Sequence, residues 1–434
     1  MGGQEVAECI FEESVFLTYC IFEDTIFCYF CIFKGAMETL LKRYQSLLST
    51  VQLEFERNLS SKINWEARAI GLKGARGTGK STLMLQQIKK KGDFSKSVYI
   101  SLDDLYFKGN TVLETAERLY RDGIRNLYLD EVHKYHDWQR EIKNLYDFYP
   151  DLKLIISGSS ILELQKSSVD LSRRVLFYEL TSLSFREFLE LKYGIIIPKF
   201  TLEELQKNHI SIAQSIKEKL DSPLTYFREF LEFGAYPYFM EGIEDFSYRL
   251  QQVVNVVIDY DLPEAKDISV STQSKLKKLL FILSESVPFT PNISKLATQL
   301  ETTRPILTEM LHLLEESRLV RNLRSATKGT SLLNKPEKIY LSNTSLIHSF
   351  SEKGRNQGNL RETFAIDQLQ NAGYSVTFPK KGDFLVDETH LLEIGGIGKD
   401  SSQVSDFENH LIFSDDLEIG WGRKLPLFLL GFFY

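Results

Sequence analysis

The stretch RAIGLKGARGTGKSTLMLQQIKKK, residues 68–91, decides the fold of this chain. Its apolar beginning, about 68–73, predicts a β-strand, and its continuation to about residue 91 predicts a helix. Between them, GARGTGKS at 74–81 fits the pattern G-x-x-x-x-G-K-[ST]. That pattern needs a strand before it and a helix after it, and this sequence supplies both. The stretch therefore predicts a strand–loop–helix unit that binds the phosphates of a nucleotide.

Each residue type in the loop has a chemical reason. Glycines let backbone N–H groups approach phosphate oxygens, and the start of the helix adds further N–H groups with a partial positive charge. We expect Lys80 to reach the β and γ phosphates and the Ser81 hydroxyl to ligate Mg²⁺, so the predicted cofactors are ATP and Mg²⁺. The predicted nucleotide-binding residues are Gly74, Ala75, Arg76, Gly77, Thr78, Gly79, Lys80, Ser81 and Thr82.

A second motif, IRNLYLDEVH at 124–133, is an apolar strand that ends in Asp130 and Glu131. Most acidic pairs are solvated surface charges, but one that follows a strand downstream of a phosphate-binding loop has a more specific interpretation. Asp130 is expected to hold Mg²⁺ through water, and Glu131 to polarise the attacking water as general base. The two motifs together predict ATP hydrolysis.

Further strands are predicted at 97–101, 151–160 and 174–180, with a helix near 111–122. Strands that alternate with helices indicate an α/β fold, here a P-loop NTPase with a parallel sheet. Ligands bind such sheets at the carboxyl ends of the strands, where the loop and the acidic pair both fall.

Polar residues after the later strands complete the predicted catalytic set. Ser159 is the first choice for a polar sensor of the γ-phosphate and Ser157 the second, although a serine here also suits a helix N-cap. Arg173 and Arg174 precede the last strand, where an arginine is able to reach the γ-phosphate of a neighbouring subunit; a solvated basic pair is the alternative. With Arg174 as that arginine, the catalytic set is Glu131, Arg174 and Ser159, and the active unit is a homo-oligomer or a conditional dimer.

The order of these motifs resembles the AAA+ predicted ATPases of archaea and bacteria. In that family an L-x-P-L-S-F-x-E-F motif follows the arginine, and a G-G-Y-P segment follows later; here they read LTSLSFREF at 180–188 and FGAYPYFMEG at 233–242. Two departures are that Ser172 precedes the arginines in place of the usual glycine and that Thr181 to Leu183 replace a turn with proline. The resemblance covers roughly 40–434 and implies an ATPase core, a helical lid, a winged helix and a restriction-endonuclease-like domain. The other matching segments are GARGTGKST, LYLDEVH, LIISGSS and SRRV.

The region 272–345 predicts two helices and a strand in a winged helix-turn-helix pattern. It holds eleven Lys and Arg against six Asp and Glu, so it is basic within an acidic chain. Duplex DNA is therefore a candidate partner, although winged helices also pack subunits together. Thr302, Thr303, Arg304 and Thr308 lie near the reading end of the second helix.

The C-terminal part, read through the same resemblance, places Glu362, Asp383 and Glu393 where restriction-endonuclease-like domains gather a divalent metal. The expected lysine is Gly395 in this chain, and Lys399 either reaches the site or leaves it without a cation. We therefore expect the fold to be retained without nuclease activity. The chain ends in PLFLLGFFY at 426–434, which predicts a buried terminal element.

Residues 1–36 differ from the rest of the chain. CIFE at 9–12 recurs at 20–23 and in part at 31–33, all four cysteines lie in this segment, and its acids interrupt every apolar run before the roughly 18 residues of a membrane helix. We expect a spurious or disordered leader before Met37 that is dispensable for folding and ATP binding, and from Met37 an amphipathic helix is predicted over 37–59. The predicted domains are a leader at 1–36, an ATPase core at 37–180, a helical lid at 181–265, a winged helix at 266–350 and an endonuclease-like domain at 351–434.

Composition limits the class of function. With 43% hydrophobic and 26% charged residues and a net charge of −7, the 434-residue chain is typical of globular proteins and unsuited to coating nucleic acid. The cysteine-free body indicates a cytoplasmic protein, and, since no apolar run is long enough for a membrane helix, no membrane partner is expected. Three functions remain open: an ATP-hydrolysing motor or switch, a DNA-binding defence or mobile-element protein that uses ATP as a control signal, and an ATP-binding scaffold with little turnover. An intact Asp130–Glu131 pair favours the first two.

Overall fold

The computed structural model describes residues 24–158, 171, 173–266, 268–285, 291–325, 336–351, 357–399 and 407–434. The first part of the chain forms a five-stranded sheet in the order β2-β3-β4-β1-β5, and every neighbouring pair is parallel. This is the sheet of a P-loop NTPase, so the predicted fold class is confirmed. The strands are β1 (Ala69–Lys73), β2 (Ser97–Ser101), β3 (Asn126–Asp130), β4 (Lys153–Gly158) and β5 (Leu176–Glu179).

Helices cover this sheet and bury its apolar strands. The side chains of β3 are buried along its whole length, as expected for a strand between two parallel neighbours that is covered by helices. The helices are α1 (Asp24–Thr50), α2 (Lys80–Lys91), α3 (Val112–Arg121) and α4 (Trp138–Phe148).

The first helix differs from the prediction at both ends, since it begins before Met37 and ends at Thr50 instead of continuing to residue 59. The residues after Thr50 run alongside α2 instead. Gln86 Nε2 donates to the carbonyl oxygens of Gln52 (2.9 Å) and Phe55 (2.7 Å). Side-chain donors on α2 thus satisfy the backbone of this segment, which a local helical pattern does not reveal.

Helices continue after β5 and form what we call the helical segment, residues 185–265. Phe185 and Phe188, on its first helix, are fully buried among other aromatic rings. A π-helical turn, Val257–Asp261, joins its last two helices. The helices are α5 (Phe185–Tyr193), α6 (Leu202–Leu220), α7 (Pro223–Phe233), α8 (Phe246–Val256) and α9 (Leu262–Ala265).

Three helices and an antiparallel pair of strands follow, in the order that a winged helix requires. The assignment to that class stays a prediction. The elements are α10 (Val270–Glu285), α11 (Ile293–Gln299), α12 (Arg304–Glu316), β6 (Val320–Leu323) and β7 (Lys338–Leu341), and then α13 (Thr344–Phe350).

The last part of the chain is a second, mixed sheet in the order β12-β11-β10-β9-β8, with α14 packed against β10. The pairs β8–β9 and β9–β10 are antiparallel, and the pairs β10–β11 and β11–β12 are parallel. A buried 3₁₀ helix, Leu427–Phe432, follows the sheet, as the apolar tail predicted. The elements are α14 (Gln357–Ala372), β8 (Val376–Thr377), β9 (Phe384–Val386), β10 (His390–Gly395), β11 (His410–Ser414) and β12 (Lys424–Pro426).

The buried apolar side chains form two cores. One extends from Leu40 to Leu180 and surrounds the parallel sheet. The other extends from Leu183 to Tyr434, so the helical segment, the β6–β7 pair and the second sheet share it. The predicted domain boundaries beyond 180 remain a prediction. Among the described helices, none is both long enough and apolar enough to cross a bilayer.

Candidate nucleotide-binding site

The loop between β1 and α2 has the backbone conformation that anion binding requires. Gly77 and Gly79 have φ angles of 81° and 94°, a left-handed region that glycine enters without the clash of a Cβ atom. The Thr78 hydroxyl donates to the Ala75 carbonyl (2.9 Å) and closes the loop on itself. Helix α2 begins at Lys80, so the free N–H groups of its first turn lie beside the loop, where a phosphate binds favourably.

The Lys80 side chain is buried within this loop. Its ammonium donates to the carbonyl oxygens of Gly74 (3.1 Å) and Ala75 (3.0 Å). Burial lowers the pKa of Lys80, and the carboxylates of Glu131 and Asp130 act in the opposite direction. The lysine and the acidic pair therefore lie within electrostatic reach of one another, and the fold brings the two predicted motifs into one site.

Two hydroxyl groups hold the Asp130 carboxylate at the end of β3. Tyr99 Oη, from β2, donates to Oδ2 at 2.5 Å, and Ser157 Oγ, from β4, donates to Oδ1. Burial raises the pKa of Tyr99, so the phenol remains a donor at neutral pH. Ser157 was the second choice for the polar sensor, and Ser159, the first choice, lies outside the described residues. Asp130 is only 2% exposed, so these bonds fix its orientation.

Glu131 lies at the open edge of the same site, with 23% of its side chain exposed. Its φ and ψ angles of 51° and 40° are left-handed, which is uncommon for a residue with a Cβ atom and is typical of strained functional positions. His133 Nε2 lies 3.5 Å from Glu131 Oε2. Burial lowers the pKa of His133 to about 4, so its imidazole is neutral at pH 7 and does not neutralise the Glu131 carboxylate.

A known family model matches the part of the chain that contains these residues. Residues 66–189 match the AAA domain. The match includes the phosphate-binding loop, the acidic pair and both arginines before β5, and we call these residues the AAA region. A second model, described as a domain of unknown function (DUF8612), matches residues 224–357 and thus covers parts of the helical segment and the β6–β7 pair.

Relatives and solved structures similar to this chain come from several organisms. Two proteins of Methanocaldococcus jannaschii, MJ1637 and MJ1544, both described as uncharacterized, are similar to this chain. MJ1637 is 27% identical over 78% of this chain and 78% of its own length. MJ1544 is 25% identical over 72% of this chain and 70% of its own length. The Walker-type ATPase PABY2304 of Pyrococcus abyssi aligns over 68% of this chain and 95% of its own at 12% identity and a TM-score of 0.37. AMPPCP-bound DnaA from Aquifex aeolicus aligns over 59% and 84% at 16% identity and a TM-score of 0.25. The fold assignment rests on the strand order of this chain.

Arg57, which precedes the AAA region, is hydrogen-bonded to the phosphate-binding loop and holds it in place. Its guanidinium donates to the carbonyl oxygens of Thr78 (2.7 Å) and Thr181 (2.9 Å) and pairs with Glu187 (3.0 Å). Burial opposes ionisation of Glu187, but the Arg57 charge and several hydrogen bonds lower the pKa of this carboxyl overall. Glu187 also forms a capping box with Ser184 at the start of α5. The SFREF motif therefore links the loop to the helical segment through one buried ion pair.

The FGAYPYFMEG stretch, 233–242, packs against the same loop. A Cβ atom on Gly77 would lie 2.8 Å from the Tyr238 ring, and one on Gly79 would lie 3.8 Å from Pro237 Cγ. The Tyr238 ring is stacked between Tyr236 and Phe246, with centroid distances of 5.4 and 5.2 Å. This stretch thus fixes the helical segment against the AAA region at the nucleotide site.

The helical segment also contributes two acids to the edge of the site. Arg76 Nη1 lies 3.4 Å from Asp261 Oδ1. Lys134 Nζ, in the turn after Glu131, lies 3.2 Å from Asp261 and 2.8 Å from Glu264. Arg76 was predicted to bind nucleotide, and the structure shows that it shares a buried carboxylate with Lys134.

The two arginines before β5 have different surroundings. Arg174, the predicted finger, forms two hydrogen bonds with Asp147, from Nε at 2.9 Å and from Nη2 at 3.0 Å, and its side chain is 14% exposed. Arg173 is exposed to solvent. Arg174 thus binds a carboxylate of its own chain and Arg173 does not share that contact, while the prediction that one of the two arginines reaches another subunit stays a prediction.

The predicted DNA-reading residues lie at the start of α12. Thr303, Arg304 and Thr308 are exposed there, and Thr302 is half-buried. Lys295, on α11, is exposed as well. This surface is open to a partner, and its function remains a prediction.

The C-terminal acids gather around two lysines. Lys338 Nζ, from β7, lies 2.9 Å from Glu362 and 3.4 Å from Asp383. Lys399 Nζ lies 2.5 Å from Glu393 Oε1. Burial raises the pKa of Glu362, and the neighbouring Asp383 raises it further.

Lys399 reaches this cluster by folding over Gly395. A Cβ atom on Gly395 would lie 2.8 Å from both Cβ and Cγ of Lys399. Of the two alternatives left open by the sequence, the structure has the one in which Lys399 reaches the acids, since its ammonium pairs with Glu393 although it lies four positions after the expected one.

Three residues of the nucleotide site were missed in the sequence: Arg57, Tyr99 and Asp261. Tyr99 lies on the predicted strand 97–101, which was one available signal, but the strand order that places β2 beside β3 was not predicted from the sequence. Arg57 and Asp261 had none, since they reach the loop from segments outside the AAA region whose packing no local pattern reveals.

Proposed function

We propose that this protein binds Mg²⁺-ATP and hydrolyses it. The observation that carries the proposal is the meeting of Lys80, Asp130 and Glu131 at the carboxyl edge of a parallel sheet, beside a helix N-terminus. These are the groups that nucleotide hydrolysis needs: backbone donors and a lysine for phosphates, a carboxylate for the metal, and a base for water.

Residues for Mg²⁺ are present and fit the ion. Tyr99 Oη donates to the Asp130 carboxylate at 2.5 Å, and Ser81 acts on the pKa of the same phenol, so the two predicted metal-binding groups both lie near the Tyr99 hydroxyl. Mg²⁺ would neutralise charge on the β and γ phosphates. Ser81 and Asp130 would hold it directly or through water.

The chain's own groups then supply the hydrolytic step. The water oxygen bonds to the γ-phosphorus while Glu131 takes a proton from that water. The bond from the γ-phosphorus to the bridging oxygen breaks, and ADP leaves with that electron pair. Lys80 and the backbone N–H groups stabilise the charge that develops on the phosphate oxygens.

Lys80→Ala tests the binding site directly. Removing the ammonium should weaken ATP binding severely, since this group provides the main cation for the β and γ phosphates. Lys73→Ala is the matched control, because Lys73 lies at the end of β1 just before the loop. Equal ATP affinity in wild type and Lys80→Ala, measured by calorimetry, would place the site elsewhere.

DNA-controlled ATP hydrolysis is the second candidate function. It is supported by the exposure of Thr303, Arg304 and Thr308 on α12 and by Lys295 nearby. Duplex DNA should then raise the ATPase rate, and Arg304→Ala should reduce that response without changing the basal rate. An ATPase rate that duplex DNA leaves unchanged would remove this candidate.

The C-terminal cluster, in this proposal, has no nuclease activity. Two ammonium groups already pair with Glu362, Asp383 and Glu393, and Lys338 bridges two of these carboxyl groups. A divalent cation would need to displace that lysine, so the residues do not fit a metal as they are packed. Wild-type protein should leave duplex DNA intact in the presence of Mg²⁺ or Mn²⁺.

A further inference from the structure

Four charged side chains connect the helical segment to the phosphate-binding loop, and the predicted mechanism uses none of their acids. Asp261 ends the π-helical turn and is 3% exposed. Its carboxylate accepts contacts from Arg76 Nη1, at 3.4 and 3.5 Å, and from Lys134 at 3.2 Å. Lys134 also binds Glu264 at 2.8 Å.

The contact between Arg76 and Asp261 is the weakest of these. Its distances exceed the 2.7–2.9 Å of a strong charge-assisted hydrogen bond, and 34% of the Arg76 side chain is exposed. Lys134, at 16% exposure, is held by both acids. Arg76 is therefore able to leave Asp261 without leaving that carboxylate unpaired.

This contact lies within reach of the phosphates. Arg76 directly precedes Gly77 in the loop. Asp261 raises the pKa of Lys80 and Arg76 lowers it, so both charges act on the lysine assigned to the β and γ phosphates. A γ-phosphate bound there would attract Arg76 and repel Asp261.

A metal ion is the other occupant that this cluster suggests. His133, Asp261 and Glu264 have potential ligand atoms within 4.8 Å of one another. The Lys134 ammonium, however, already lies between the two carboxylates and supplies the cation that they need. The observations therefore favour an internal ion-pair cluster over a second metal site.

Asp261 belongs to a π-helical turn that makes a further ion pair. Within the same π-helical turn, Asp259 pairs with Lys277 of α10 at 2.6 Å. π-Helical turns are rare and occur frequently at functional sites. The turn thus connects the nucleotide loop on one side to α10 on the other.

We propose that Asp261 is the counter-charge that a γ-phosphate displaces from Arg76, and that this exchange makes the site distinguish a nucleoside triphosphate from a diphosphate. The inference rests on the proposed function, because it requires nucleotide in the loop. In the free protein Asp261 holds Arg76; with a triphosphate, Arg76 contacts the γ-phosphate and Asp261 keeps Lys134. A diphosphate offers no γ-phosphate and leaves the original pair in place.

The test measures the affinity of each variant for ADP and for a non-hydrolysable ATP analogue, both with Mg²⁺. Asp261→Asn removes the competing charge and should raise affinity for the ATP analogue about tenfold, with ADP affinity nearly unchanged. Arg76→Gln should lower affinity for the ATP analogue about tenfold and again spare ADP. Asp259→Asn is the matched control, the same substitution in the same turn but facing Lys277, and should change neither.

An ADP-to-analogue affinity ratio that moves in opposite directions in Asp261→Asn and Arg76→Gln supports the proposal. A ratio that both variants leave at the wild-type value, or that Asp259→Asn changes equally, overturns it and makes the contact purely structural. If Asp261→Asn does not fold, the affinity ratio of Arg76→Gln, a substitution at a partly exposed position, is the remaining test: a ratio at the wild-type value overturns the proposal. Wild-type protein that binds neither nucleotide overturns the proposed function itself, and that result is distinct from a ratio that does not change.

Discussion

At the scale of single residues, burial sets the chemistry of the nucleotide site as much as residue type does. Asp130 and Glu131 are adjacent carboxylates, yet one is enclosed by two hydroxyl groups and the other faces the open edge of the sheet. Their predicted roles, metal binding and proton transfer, follow this difference. The sequence identified both residues, but the hydroxyl of Tyr99 became apparent only with the packing of β2 beside β3.

His133 should make stability depend on pH. Its pKa is about 4 in the folded protein and about 6.5 in an unfolded chain. Between these values the unfolded chain binds a proton that the folded protein does not, so the free energy of unfolding decreases as pH falls, by up to about 1.4 kcal/mol per pH unit. Urea titrations at pH 7 and pH 5 measure this loss.

The variant His133→Gln should lose less stability than wild type between the same two pH values, because glutamine does not titrate. His136→Gln provides the control, since the His136 side chain is 98% exposed. Identical pH dependence in wild type and His133→Gln would mean that the histidine binds its proton over the same pH range in the folded protein as in the unfolded chain.

At the scale of elements, the strand–loop–helix unit was predictable because its signals are local. Apolar runs, glycines and the lysine lie within 68–91, and β1 and α2 appear where the pattern predicts them. The end of α1 was not predictable in this way, because side chains of α2 satisfy the backbone after Thr50. The SFREF motif was recognised only through a family resemblance, and the structure supplies its physical reason in the ion pair of Arg57 and Glu187.

Arg57→Met should destabilise the protein by about 3–5 kcal/mol, because it leaves the buried Glu187 carboxylate without a counter-charge. The double variant Arg57→Met, Glu187→Met should lose less than the sum of the single variants, since both charges are then absent. Unfolding by denaturant measures the three free energies.

Arg57→Lys separates charge from geometry. Lysine keeps the positive charge but lacks the planar fork that contacts Thr78, Thr181 and Glu187 together. Compared with Arg57→Met, Arg57→Lys should therefore recover part of the free energy of unfolding and little of the ATP affinity. If the losses in free energy of unfolding of Arg57→Met and Glu187→Met simply add in the double variant, the two side chains act independently.

At the scale of the whole molecule, two cores meet along the nucleotide loop. Ion pairs between described residues join them: Arg57 with Glu187, Arg318 with Glu179 at 2.6 Å, Arg76 with Asp261, and Lys134 with both Asp261 and Glu264. The sharing of one core by all elements after Leu183 is a property of long-range packing. The sequence predicted a helical lid, a winged helix and an endonuclease-like domain in this part of the chain, but local patterns carry no information on how their elements pack together.

We propose that the active unit is a homo-oligomer or a conditional dimer, and the variant Arg173→Ala tests this. Arg173→Ala should depress ATP hydrolysis while leaving ATP affinity nearly intact; arginine fingers supplied in trans contribute roughly 10³–10⁵ in rate in related systems. Mixing Arg173→Ala with Lys80→Ala protein should restore some activity, because one mixed interface then combines an intact loop with an intact arginine. Turnover that is unchanged in Arg173→Ala would remove the arginine from the mechanism and leave assembly without support.

Hydrolysis of ATP at this site is tested by comparing ATP binding and ATP turnover in Glu131→Gln with those of wild type. Glutamine keeps the shape of the side chain but cannot accept the proton from water, so affinity should remain close to wild type while turnover falls by about 10²–10⁴. Asp137→Asn, which changes an exposed carboxylate shortly after Lys134, controls for the loss of a negative charge near the site. Unchanged turnover in Glu131→Gln, or a wild-type protein that binds Mg²⁺-ATP without hydrolysing it, would contradict the account.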